Sequence, residues 1–293
     1  MNTFLQVVIN GILFGTMYGM AAIGLSVIFG TMRIIFLAQG TMIVLFAYLV
    51  YWLFTLAHVD PYLSMVIVIP VAFLAGLGLF YLLFKKASAL EDKNVSLLLA
   101  VGLMYMIDNL LLKVFSANPR YVSTSYGLTT LHIGAINISF VRLMALVIAI
   151  VATAAVYWFL RRTLVGTALR AASADMDATR LMGINSFFVA GVSFAIGIAL
   201  AGTAGVVMAS VYSFDPNYGF AFAIKALIAL ALGGIGNVWG ALTAGLMLGM
   251  IESLAAFYVG AGWTDAVSYA VFILVLIFLP QGLFGTRVAT KKV

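Results

Sequence analysis

The chain has 293 residues, 65% of them hydrophobic and 8% charged, with a net charge of +6 and no cysteine. Domains that fold in water carry about 25% charged residues, so this composition excludes an ordinary soluble fold and leaves an integral membrane protein, whose apolar surface lipid accepts. Disulfides, thiolate metal sites and lipidated cysteines are excluded too, and the positive charge reflects Lys and Arg held on one side of a membrane, not a nucleic-acid partner.

Apolar runs predict helices near residues 4–30, 34–57, 62–84, 95–115, 140–160, 187–212, 220–233, 240–259 and 266–283. The 220–233 run is short: at about 1.5 Å per residue it covers only about 21 Å. The expected fold is an all-α polytopic bundle of eight or nine transmembrane segments in one domain over residues 1–293. No basic residue precedes the first run and no cleavage pattern follows it, so it reads as a retained helix. Gly11, Gly15 and Gly19 form one small-residue stripe, and Ala241, Gly245 and Gly249 another. Four-residue spacing places each on one helix face, where backbones pack closely. The longest outer loop is about residues 116–139; its end, Thr129 to Ser139, alternates about Gly134 and predicts a small hairpin.

Lys and Arg set the orientation. With the N-terminus outside and the C-terminus in the cytoplasm, the inner side holds eleven: Arg33; Lys85, Lys86 and Lys93; Arg161, Arg162, Arg170 and Arg180; Arg287, Lys291 and Lys292. The outer side holds Lys113, Arg120 and Arg142.

The largest polar island, about residues 161–186, then faces the cytoplasm. A loop this long between spans is expected to carry function. One short helix is expected over about 163–172. A second has Ser173 as its cap, Asp175 and Asp177 in its first turn, Arg180 in its last and Gly183 as a left-handed stop. Docking into a groove of another protein and lying on anionic lipid are both open to such helices.

Three ionisable residues fall inside predicted spans: Asp108, Lys225 and Glu252. Charge in hydrocarbon costs a few kcal/mol, so such groups face a cavity or a partner. Asp108 lies towards the outer end of its helix, where snorkelling or an interface role is expected. Lys225 and Glu252 sit at similar depth on consecutive antiparallel helices and are expected to form a neutral pair. Leu232 to Gly240 reads LGGIGNVWG, and Gly233, Gly234 and Gly236 suit either a tight helical turn or a pathway gate. Gln39-Gly40 is a similar interruption in the second span. There is no phosphate loop, nucleophile elbow or His/Asp/Glu metal cluster, so no cofactor, metal or catalytic residue is expected.

Four stretches carry a resemblance: Arg33 to Gly40, Arg170 to Asn185, Lys225 to Ala241 with Glu252 downstream, and Pro280 to Gly285. In this order they resemble the ABC permeases for branched-chain amino acids, and within them the shorter of two paired permease subunits. The resemblance implies an importer in the inner membrane that works by alternating access. It implies two cytoplasmic ATPase subunits, a second permease that is a different chain, and a periplasmic or surface substrate-binding protein. The implied coupling element includes Arg170, Ala174, Asp175, Asp177, Arg180, Leu181 and Gly183. Candidate pathway positions are Gln39, Gly40, Thr41 and the three glycines. Where the family usually has Asn-Phe-Ala-His-Gly followed by an acidic residue, this chain has Phe36-Leu37-Ala38-Gln39-Gly40 and Thr41. Relatives of the family carry urea, short amides or other amino acids, which are the alternative substrates. An ion-coupled carrier or channel built on Asp108, Lys225 and Glu252 would leave the polar island without a role.

Overall fold

The computed structural model describes residues 2–88, 93–124, 126–127, 129–133, 136–279 and 281–285. In chain order the helices are α1 (Asn2–Met32), α2 (Gln39–Ala57), α3 (Met65–Leu79), α4 (Lys85–Ala87) and α5 (Lys93–Phe115). A hairpin of β1 (Thr130–Ile133) and β2 (Ile136–Ser139) follows, paired antiparallel with Thr130 opposite Ser139. Then come α6 (Phe140–Arg162), α7 (Leu164–Ala174), α8 (Met176–Leu181), α9 (Ser186–Val211), α10 (Tyr218–Gly233), α11 (Val238–Tyr258) and α12 (Thr264–Phe278). A π-helical turn, Phe80–Phe84, joins α3 to α4 in one rod. Among the described residues, eight helical rods are long and apolar enough to cross a bilayer, and α10 is shorter.

Burial ranks the rods. In α1 and α9 83% of the most apolar window is buried, against 6% for the last span, so α1 and α9 are the central posts and α12 is peripheral. The hairpin end of the bundle is marked by Gln6, whose Nε2 donates to the Asn137 carbonyl at 2.7 Å. The opposite, island end carries α7 and α8 beside the last turn of α1.

Small residues explain the close crossing of α1 and α11. The stripe of Gly11, Gly15 and Gly19 on α1 meets Gly245 and Gly249 on α11. A Cβ on Gly245 would overlap the Gly19 backbone, and one on Gly249 would overlap that of Gly15. Without a hydrophobic drive between helices in lipid, this backbone approach supplies dispersion contact.

One span starts later, and another ends earlier, than its apolar run suggests. The second begins at Gln39, not near residue 34. Arg33 adopts a left-handed φ of 53° and ends α1. Phe36 then turns inward, its ring centroid 4.9 Å from Phe194 and 5.7 Å from Phe84. Ile34, Phe36 and Ala38 are apolar because they are buried against protein, not because they form a helix. The last helix ends at Phe278, short of the expected 283, and Leu283 instead donates its N–H to the Leu232 carbonyl at 2.7 Å.

Gly245→Ala should lower stability by about 1–3 kcal/mol, the usual range for overpacking. Gly102→Ala on α5, where a Cβ meets nothing within 4 Å, should not. Thermal unfolding in one detergent compares them, and an equal effect on both would contradict the close crossing.

Candidate functional site

The starts of α2 and α10 meet inside the membrane. Gln39 Nε2 donates to the Gly197 carbonyl at 3.2 Å. Gly197 is the twelfth residue of the 26-residue α9, which places the start of α2 near mid-depth. From there α2 rises towards the hairpin end, where Tyr126 Oη donates to Asp60 Oδ2 at 2.6 Å just beyond it. The loop hydroxyl of Tyr62 is pushed up to about 12 by burial and, secondarily, by Asp60. The other helix, α10, runs the opposite way, from mid-depth to the island end.

Gly40 and Gly219 are each the second residue of their helix, and they touch: a Cβ on Gly40 would overlap the Gly219 carbonyl. A Cβ on Gly219 would stand 2.6 Å from Thr41 Oγ1. Each helix follows a full span, α1 or α9, after a six-residue break, 33–38 or 212–217. The two units run in opposite directions through the bilayer. This is the inverted arrangement of discontinuous helices found at transporter binding sites.

Neither helix start has a side-chain cap: Ala38 precedes α2, and Asn217 makes no cap bond to α10. Each start carries roughly half a positive charge. The carboxyl group beside them is Asp108 of α5, which faces the Thr41 hydroxyl. Oδ1 of Asp108, Oγ1 of Thr41 and Oε1 of Gln39 are all buried without a hydrogen-bond partner. Asp108 thus turns inwards rather than snorkelling from the outer end of its helix. Gln39, Gly40 and Thr41 are together at this junction. Gly233, Gly234 and Gly236 are not. They form the α10–α11 turn at the island end, with φ of 84° at Gly234 and 80° at Gly236, and Asn237 Oδ1 caps α11 through the Gly240 N–H at 3.0 Å. A Cβ on Gly234 would strike Gly285, so this turn is braced by the C-terminal segment.

Lys225 and Glu252 are also brought together, with Lys225 Nζ 2.9 Å from Glu252 Oε1. The pair is part of a larger network. Lys225 reaches Asp265 Oδ1 at 3.0 Å and donates to Tyr18 Oη at 3.2 Å, which uses all three ammonium donors. Glu252 accepts from Tyr18 Oη at 2.7 Å and from Ser268 Oγ at 2.9 Å. The expected neutral pair is therefore corrected to a trio with two carboxylates. Asp265 escapes a depth argument because it sits in the first turn of α12 with a side chain 62% exposed. Arg142 lines the same cavity of about 300 Å³.

At the island end, α7 and α8 project from the bundle. Asp175, not Ser173, caps α8. Its Oδ1 accepts from the N–H groups of Asp177 (2.9 Å) and Ala178 (3.0 Å), whereas Ser173 lies inside α7 and donates to the Arg170 carbonyl. Both residue types cap well, and α7 runs on to Ala174, which decides the matter. Arg180 pairs with Asp177 at 3.4 Å, and Gly183 stops the helix at φ 79°. Arg170 Nε donates to the Leu160 carbonyl at 2.9 Å and ties α7 to α6. Leu164, Leu181 and Met182 are 81–91% exposed, more than an apolar side chain in water favours. Ala174, Asp175 and Arg180 line a cleft of about 440 Å³ together with the end of α1.

Broken helices meeting at mid-depth, an intramembrane ion network and a projecting two-helix element define a polytopic membrane transport protein. The chain belongs to the family described as branched-chain amino acid transport system / permease component, whose model matches residues 7–276. It is similar to the high-affinity branched-chain amino acid transport system permease protein BraD of Pseudomonas aeruginosa, 29% identical over 99% of this chain and 98% of that protein. The corresponding protein LivH of Escherichia coli is 29% identical over the same shares. A probable branched-chain amino acid transport permease protein LivH of Methanocaldococcus jannaschii is 26% identical over 94% and 91%. No solved structure matches the chain. It is a multi-pass inner-membrane permease, and its relatives are permeases rather than enzymes.

Lys225→Met should be the most damaging change in the ion network, because it leaves two carboxylates facing each other. Breaking a buried pair costs about 3–5 kcal/mol. Glu252→Gln should cost less, since Asp265 and Tyr18 still hold the ammonium, and Lys225→Met with Glu252→Gln should be milder than Lys225→Met alone. Unfolding temperatures in a common detergent measure this; a double variant no better than Lys225→Met would refute the coupling.

Proposed function

We propose that this chain is the membrane-spanning subunit of an ATP-driven importer for branched-chain or related amino acids, moving its substrate by alternating access. The whole of residues 1–293 acts as one permease domain, with the N-terminus outside and the island in the cytoplasm. ATP is hydrolysed on separate cytoplasmic subunits, a second, different permease chain completes the path, and a periplasmic or surface binding protein delivers the substrate.

The observation that carries the reading is the α7–α8 element. It is rigid, with Thr163 capping α7 at 2.9 Å and Asp175 capping α8. It leaves Leu164, Leu181 and Met182 uncovered by the rest of the chain, an apolar face suited to a partner. Behind it, Leu169, Ala172 and Val189 form a small core that joins α7 to the first turn of central α9. A push on α8 therefore reaches α9, against which Gln39 and the start of α2 rest. Arg170, Ala174, Asp175, Asp177, Arg180, Leu181 and Gly183 are the coupling residues in this scheme. The transition is a rigid-body movement of packed helices. Sequence similarity to branched-chain amino acid permeases over nearly the full length supports the substrate class.

Co-purification tests it. The detergent-solubilised wild-type chain should recover ATPase subunits. A variant with Asp175, Asp177 and Arg180 changed to Ala should lose at least about 90% of them, since removing the cap and its ion pair costs roughly 1–2 kcal/mol of local order. A wild-type chain that recovers no ATPase in the presence of lipid and nucleotide would contradict the reading.

A further inference from the structure

Beside the mid-depth junction, a cavity of about 510 Å³ lies between α2, α3 and α5. Its wall is almost wholly apolar, including Met42, Leu45, Leu79, Leu103, Ile107 and Leu111. Polar groups adjoin this wall without lining it: Thr41 precedes Met42, and Asp108 follows Ile107. Thr41 shares a helix face with Leu45, and Asp108 shares one with Leu111. Tyr48 lines the cavity itself, stacked on Phe115 with ring centroids 4.1 Å apart. Thr41 and Tyr48 are 0% and 1% exposed, yet Oγ1 of Thr41, Oη of Tyr48 and Oδ1 of Asp108 all lack a hydrogen-bond partner. A buried polar atom left without a partner destabilises the folded chain. Three such atoms beside one apolar cavity match the pattern of a ligand site, mostly apolar with a few convergent polar groups.

We propose that the α2–α5 seam is the amino-acid site of this subunit, shaped for a zwitterion with an aliphatic side chain. The inference rests on the permease reading above and locates its substrate. The cavity takes the aliphatic side chain. Asp108 takes the ammonium group. The carboxylate lies against the uncapped start of α2, where free N–H groups and the helix dipole favour negative charge, and the hydroxyls of Thr41 and Tyr48 complete the polar contacts. Charge supports this occupant over a lipid tail. A carboxylate and two positive helix starts are complementary to a molecule that carries both charges, whereas an acyl chain would leave every one of these polar atoms unpaired. The approach of Gly219 to Thr41 places the start of α10 on the same site, so a movement of α10 opens or closes it.

The complete importer, reconstituted in liposomes with its ATPase and binding protein, provides the test through uptake of L-leucine and L-valine. Asp108→Asn should keep its ATPase subunits but lose at least about tenfold in uptake of both amino acids, as expected for one charge-assisted bond. Gly78→Leu projects into the cavity from α3, where a Cβ meets nothing within 4 Å. It should depress leucine uptake at least about threefold more than valine uptake, because a pocket discriminates by methylene. Uptake by Asp108→Asn within about twofold of wild type would overturn the proposal. So would a Gly78→Leu importer whose leucine and valine rates fall in parallel or stay unchanged, the latter being the behaviour of a pocket that holds only lipid. A wild-type importer that assembles but moves neither amino acid would overturn the permease reading itself, and this inference with it.

Discussion

Two helices begin where no water can solvate their free N–H groups. In a bilayer every backbone polar group must find a partner, and irregular backbone persists only where protein or a cavity surrounds it. The starts of α2 and α10 are shielded from lipid by packing against each other, through Gly40 and Gly219, and against α9, through Gln39 and Gly197. Much of the rest follows. Phe36 must be packed between Phe84 and Phe194 so that the break before α2 is shielded from lipid. The two central posts carry glycines because half-helices must lie close to them, as Gly24 does with Gln39 and Gly205 with Ile43 and Ala47. A carboxyl group, Asp108, stands where two positive helix starts converge.

The α1–α2 and α9–α10 units share one design, a full span, a six-residue break and a helix begun at mid-depth, laid in opposite directions. That inversion gives the junction similar surroundings towards either face of the membrane. An element that is stable in one tilt then has a related tilt available, which is what alternating exposure needs. The ion network of Lys225, Glu252 and Asp265 sits on the α10–α11–α12 side and ties those helices together through Tyr18 of α1. With every donor of Lys225 used, this cluster has the character of a structural clamp rather than of an ion pathway.

How far the sequence revealed this depends on the kind of signal. The spans and the polar island were legible because hydropathy and charge respond directly to lipid and water. Lys225 and Glu252 were legible as partners from depth alone, but Tyr18, Ser268 and Asp265 were not, because a tyrosine, a serine and a residue at a helix entrance look ordinary in a membrane sequence. The late start of α2 was hidden: Ile34, Ile35, Phe36 and Leu37 are as apolar in a buried extended segment as in a helix. The shortness of the 220–233 run was the surviving trace of a half-helix, and Gln39-Gly40 the trace of its counterpart. The cap at Asp175 is hidden in the sequence because Ser173 suits the role equally and only the length of α7 separates them. The α2–α5 cavity had no sequence signature, since its wall is drawn from three separated helices.

The central claim is that the α2–α10 junction is exposed to each side of the membrane in turn. The chain has no cysteine, so Thr41→Cys provides a single thiol at the junction, and its reaction with a small membrane-impermeant thiosulfonate can be followed from each face. In the assembled importer, held first without nucleotide and then with a non-hydrolysable ATP analogue, the account predicts that the reactive face switches. Labelling from the same face in both states, or from neither, would contradict it.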